Sequence, residues 1–95
     1  MLDIRYNESF KYGQLAHALA KLEFQEKTGT TDLGIPFRLF YNKAHDAMIA
    51  LPKLDDTDLL EPIHLRRAEK TLEDRGVTDS ATFFGLLREA GQKAA

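Results

Sequence analysis

Apolar residues recur along this chain with two different periods, and the period changes where the elements change. From Tyr12 onward, Leu15, Ala18, Leu19 and Leu22 fall at i, i+3, i+4 and i+7, which predicts a helix with a single apolar stripe. His17 and Lys21 lie off that stripe, one turn apart, on the side expected to meet solvent. Ahead of the helix, Leu2, Ile4 and Tyr6 alternate with Asp3 and Arg5, the pattern of a short edge strand or an extended arm, and Asn7-Glu8-Ser9 forms a turn cluster. Residues 1–11 are therefore read as an N-terminal arm.

Phe24 to Thr28 is the candidate first strand, and Gly29 to Pro36, punctuated by Gly, Thr and Pro, reads as the loop that follows it. Two runs of period two come next, Phe37 to Tyr41 and Ala47 to Leu51, joined by the polar Asn42-Lys43-Ala44-His45-Asp46 into a hairpin. Phe37, Leu39 and Tyr41 share one face of the first run; Ile49 and Leu51 share one face of the second. Lys53 to Glu61, with Asp55, Asp56, Asp58 and Glu61, is a surface loop. Pro62 opens a helix with the stripe Leu65, Ala68 and Leu72, which Gly76 ends. Thr78, Asp79 or Ser80 caps a last helix with Phe83, Phe84, Leu87 and Ala90 on its apolar side, and residues 91–95 are expected to fray. The reading is a single α+β domain, α-β-β-β-α with a three-stranded antiparallel sheet and an additional C-terminal helix.

Composition narrows the functions open to such a domain. At 95 residues, 43% hydrophobic and 29% charged, the chain has the size and make-up of one ordinary globular unit. It has no cysteine, which removes disulfides, thiolate zinc sites and cysteine nucleophiles. The longest apolar run, Ala47 to Leu51, is too short to span a bilayer, and the first residues lack the layout of a secretion signal. A cytoplasmic protein without a membrane partner is expected. A net charge of -2 supplies no overall field toward a polyanion, so nucleic-acid binding would need a local basic patch.

His17, His45 and His64 share no spacing that sets two of them on one helical face as ligands, and each reads as a surface or capping residue; no metal or cofactor is expected. Asp55-Asp56-Thr57-Asp58 lacks the glycine turn and distal glutamate of a calcium loop and reads as a solvated loop. Ser9 and Ser80 read as caps rather than nucleophiles. The basic cluster is His64, Arg66, Arg67 and Lys70, at spacings that let them project to a common side of one helix. It is either a grip for phosphates or a solvated helix face balanced by Glu69, Glu73 and Asp74.

The order of elements, together with Tyr12-Gly13-Gln14-Leu15, Ala20-Lys21-Leu22-Glu23-Phe24, Ile49-Ala50-Leu51-Pro52 and the stretch from Ile63 to Val77, resembles the HicA/YcfA-like family of small proteins. The resemblance spans roughly Tyr12 to Leu87 and implies a fold like that of double-stranded-RNA-binding domains. Many members of that family are toxins that cleave mRNA and pair with a HicB-type antitoxin. Their Gly-Ser-His segment entering the second strand corresponds here to Gly34-Ile35-Pro36, and no histidine lies between His17 and His45. Proline offers no proton near neutral pH. The family's turn glycine after the first helix is likewise replaced, by Glu23.

The expectation is an RNA-binding or toxin-antitoxin-related module without catalysis, holding phosphates through His64, Arg66, Arg67 and Lys70. The alternative is a protein-interaction module that pairs through a sheet edge or the aromatic last helix. A third reading, an mRNA-cleaving enzyme, would have to use His45 or His64. The partners implied are RNA, an antitoxin-like protein or a second copy of the chain.

Overall fold

The computed structural model of the chain describes residues 9–52 and 55–93, so the Met1 to Tyr6 pattern lies outside the described residues. Helix α1 (Tyr12–Lys21) leads into strands β1 (Gln25–Thr30), β2 (Pro36–Asn42) and β3 (Ala47–Pro52), and helices α2 (Pro62–Asp74) and α3 (Ser80–Lys93) follow. The strands form one open antiparallel sheet in the order β1-β2-β3, with β2 central and β1 and β3 at the edges. The fold is therefore α+β, with three helices. α1 packs mainly on α3, while α2 packs on β3. Continuation of α3 through Lys93 carries regular helix beyond Gly91, where fraying was expected.

β1 begins after Phe24, which is buried at the end of the preceding turn, and it runs on through Gly29 and Thr30. Those two residues pair with Phe37 and Pro36, so the stretch expected to be loop is partly strand. The Phe37 ring lies across Gly29, where an added Cβ would come within 2.9 Å of it. That close approach is the reason for a glycine within the strand.

The period-two reading of the hairpin holds, but the sheet presents β2 with the other face inward. Arg38, Phe40 and Asn42 are buried, and they align with Leu51, Ile49 and Ala47 of β3. Phe37, Leu39 and Tyr41 are half-buried on the open side, which they share with the exposed Met48 and Ala50. Hydrophobicity alone would choose the opposite face. Specific partners for the two polar side chains decide the matter. Arg38 Nε and Nη2 donate to the Glu26 carboxylate at 2.9 and 3.0 Å, and Nη1 donates to Asp56 Oδ1 at 2.8 Å. Asn42 Nδ2 donates to the Leu22 carbonyl at 2.9 Å, and its Oδ1 accepts the His45 amide at 3.1 Å. A buried polar group so satisfied carries little cost.

The core joins Phe10, Tyr12, Leu15 and Leu19 to Phe40, Ile49 and Leu51 of the sheet and to Leu65, Leu72, Phe83, Phe84 and Leu87 of the later helices. The acidic loop is bound into this arrangement rather than merely solvated. The Asp58 and Asp56 carbonyls accept the amides of Tyr12 and Gly13 at 3.0 Å each, so the loop covers orphan donors at the start of α1. A side chain at position 13 would meet Asp56 Cβ at 2.9 Å, which explains Gly13. Ser9 does not cap α1. Lys11 stands at the N-cap, and the Gln14 side chain accepts its amide at 2.9 Å.

Helix ends follow the sequence signals closely. Pro62 occupies the first turn of α2. The helix closes at Gly76, with φ +68, through Gly76 N-H to Glu73 O and Val77 N-H to Leu72 O, the two bonds of a Schellman motif. Asp79 caps α3 by accepting the Thr82 amide at 2.7 Å, which holds its carboxyl below the usual range. α1 closes with the same pair of bonds, Glu23 N-H to Ala20 O and Phe24 N-H to Leu19 O, but Glu23 takes the left-handed position at φ +69. A side chain there is strained where glycine is not. Glu23→Gly is expected to raise stability by about 0.5 to 1 kcal/mol in chemical denaturation, the relief of strain exceeding the added chain entropy. A less stable variant would contradict this account of the turn.

Candidate functional site: the groove between β3 and α2

The two edges of the sheet differ in kind. β1 carries Glu26 and Lys27, and Glu26 is held by Arg38, so charge guards that edge. β3 reads Ala-Met-Ile-Ala-Leu-Pro, with no charge anywhere along it. An edge strand leaves a row of main-chain N-H and C=O groups without strand partners, and proteins usually blunt such rows with charge. Among the described residues, β3 has only its terminal Pro52 for that purpose.

α2 runs beside this edge and leaves a groove of about 290 Å³ between them. Met48, Ile49, Ala50 and Leu51 form the strand wall. His64, Arg67, Lys70, Thr71 and Asp74 form the helix wall. The buried face of α2 is Leu65, Ala68, Glu69 and Leu72, and successive helical residues turn by about 100°. That rotation brings His64, Arg67, Thr71 and Asp74 to the β3 side, with Lys70 next to them, and it carries Arg66 to the other flank. Of the four basic residues expected to act together, the fold gathers His64, Arg67 and Lys70 in one groove, and Arg66 does not line it.

His64 is fixed from below. The Tyr12 hydroxyl, on a side chain only 1% exposed, lies 2.6 Å from His64 Nδ1, with the ring centroids 5.8 Å apart. The same hydroxyl accepts the Glu61 amide at 3.5 Å, which ties it to the start of α2 as well. Burial, more than any neighbour, pushes the Tyr12 phenol above its ordinary 10.0 and keeps it a donor. On the groove's outer wall, Lys70 Nζ and Asp74 Oδ2 are 3.3 Å apart, both well exposed, a pair of small energetic weight. Arg67 is exposed and has no ion pair among the described residues.

The other sequence candidates lie elsewhere. His45 is exposed in the β2-β3 turn, where its amide rather than its ring is engaged. His17, expected to face solvent, is half-buried in a cleft of about 490 Å³ with Lys11, Gln14 and Asp56. That cleft is larger, and the fold uses two of its polar groups, since Gly13 N-H bonds Asp56 O and Gln14 Nε2 donates to Leu87 O. The buried His17 Nε2 has no hydrogen-bond partner among the described residues. Among the described residues, no three His, Asp or Glu side chains come together to hold a metal ion, and no helix is long and apolar enough to cross a membrane. Gly34-Ile35-Pro36 forms the exposed approach to β2 and carries no titratable side chain.

Comparison with known proteins adds no identity to this geometry: no family model, no curated protein and no solved structure matches the chain.

Tyr12→Phe keeps the ring and removes the hydroxyl, and it is expected to cost about 1 to 2 kcal/mol by leaving His64 and the Glu61 amide without their partner. The raised phenol also fixes a sign. As pH rises past 10.0, the unfolded chain releases this proton before the folded one does, so stability falls with rising pH. Urea unfolding followed from neutral to alkaline pH should show that contribution in the parent and not in Tyr12→Phe. Identical alkaline limbs would contradict the assignment.

Proposed function

We propose that this chain is a protein-interaction module that takes a β-strand from a protein partner along the free edge of β3. The observation that carries the reading is an uncharged edge strand beside an open groove with a basic wall. In strand addition, main-chain hydrogen bonds give affinity, and alternate side chains give specificity. Along the helix wall, His64, Arg67 and Thr71 accept acidic and hydrogen-bonding groups that the partner brings to the groove. Side chains of the added strand that face the helical layer lie beside Ile49 and Leu51, which accept apolar residues. Those on the other side extend the apolar open face of Phe37, Leu39, Tyr41, Met48 and Ala50.

A nucleic-acid reading is the second possibility. His64, Arg67 and Lys70 around one groove support it, as does the resemblance to HicA/YcfA-like proteins with their double-stranded-RNA-binding-domain-like fold. Three things weigh toward the protein partner: Arg66 is on another flank, Asp74 lines the same groove, and the net charge is -2. Phosphate binding draws its affinity from several cations acting together. A cytoplasmic site of action belongs to the same proposal.

The two readings separate in one nuclear magnetic resonance titration at low protein concentration, using a blocked peptide of alternating valine and glutamate and, separately, a short RNA duplex. The peptide is expected to shift the amides of Met48 to Leu51 and to bind more weakly to Arg67→Glu. RNA is expected to leave them in place. Salt-sensitive RNA shifts at His64, Arg67 and Lys70, with β3 unmoved by peptide, would overturn the proposal in favour of the nucleic-acid reading.

A further inference from the structure

We infer that the strand received at β3 is the β3 of a second copy of this chain, related by a two-fold axis, so that two three-stranded sheets join into one of six strands. This rests on the reading of β3 as the pairing edge and adds the identity of the partner.

Symmetry and face together restrict how such a pair forms. Directly opposed residues of an antiparallel pair point to the same face of the sheet. A two-fold axis normal to the sheet must therefore pass midway between a residue and its own copy, opposing Ile49 to the partner's Ile49 or Ala50 to the partner's Ala50, and never Ile49 to the partner's Ala50. Either register keeps Ile49 and Leu51 on the helical side in both copies and leaves Met48 and Ala50 on the open side. A slip by one residue would turn the buried set outward.

The same axis lays α2 antiparallel to its counterpart, and the charges on the groove side of α2 suit that operation. Ile63, Arg67, Lys70 and Asp74 recur at i, i+4, i+7 and i+11, a single stripe, basic in its middle and acidic at its end. Antiparallel apposition brings Arg67 toward the partner's Asp74 and Asp74 toward the partner's Arg67. Reciprocal contacts of this kind are what an isologous interface requires. A strand from an unrelated protein would have no reason to match the acidic end of the groove. A large apolar side chain left outside the core, Met48 at 56% exposure, lines the groove at the joined edges and becomes covered. One strand edge and one helix stripe make a small interface, below about 1,200 Å² in total, so the association should be reversible and concentration-dependent.

Sedimentation equilibrium of the whole chain over a wide range of concentration tests this, with circular dichroism confirming that each variant is folded. The parent is expected to pass reversibly from monomer to dimer. Arg67→Glu and Asp74→Arg are each expected to weaken dimerisation about tenfold by opposing like charges, and combining them should restore it. A chain that stays monomeric throughout overturns the second copy as partner. If the valine-glutamate peptide still shifts β3 in that case, the strand-addition reading survives; if it does not, both fall. A dimer indifferent to either charge reversal also overturns the inference, because such a dimer uses another surface.

Discussion

One buried guanidinium holds the arrangement from which the groove follows. Arg38 faces inward from the central strand at 9% exposure, where an unpaired cation would be untenable. Its fork grips Glu26 of β1 on one side and Asp56 of the β3-α2 connection on the other, and its charge lies 5.4 Å from the Phe40 ring centroid. The hydrogen bonds to Glu26, above all, push its pKa further up, so it stays charged throughout the accessible pH range. Asp56 then passes the constraint on, because its carbonyl receives the first turn of α1. Strand, connection and helix are thus registered to each other through one side chain. The connection so fixed delivers α2 to its place beside β3.

With α2 packed on β3, the sheet has helices on one side and an apolar, helix-free face on the other. Its two edges are chemically unequal. Charge and the Arg38 clamp occupy β1, whereas β3 is uncharged and bordered by basic side chains. The hydroxyl of Tyr12 reaches the same place from α1 and holds the His64 ring in position on the helix wall. Strand pairing needs an accessible backbone edge, a side-chain rule on each face and a preorganised wall, and these occur together at β3. No other cleft among the described residues combines them.

Much of the fold was legible because local chemistry and tertiary structure agree. The stripes of all three helices, the proline start and glycine stop of α2, and the cap at Asp79 are local signals that packing did not overrule. The buried face of β2 was not legible, because it turns on partners of Arg38 and Asn42 that lie 12 to 20 residues away in the chain. The extra length of β1 has a similar cause, since a ring from the neighbouring strand packs across Gly29. Of the site, the basic residues could be read from helix spacing, but the separation of Arg66 from the others depends on which face α2 buries. That Glu23 would adopt the left-handed turn in place of glycine had a sequence trace only in the absence of the glycine. The edge itself had a faint signal: an uncharged run closed by proline, ordinary in a central strand and exposed in an outer one.

Residue-resolved amide hydrogen exchange, at low and high protein concentration, addresses the central claim most directly. The account predicts that outward-facing amides within Met48 to Leu51 slow as concentration rises, while those of the charged edge at Glu26 and Lys27 stay fast. Protection that instead develops at β1, or across Leu33 to Ile35, with β3 unchanged, would contradict it.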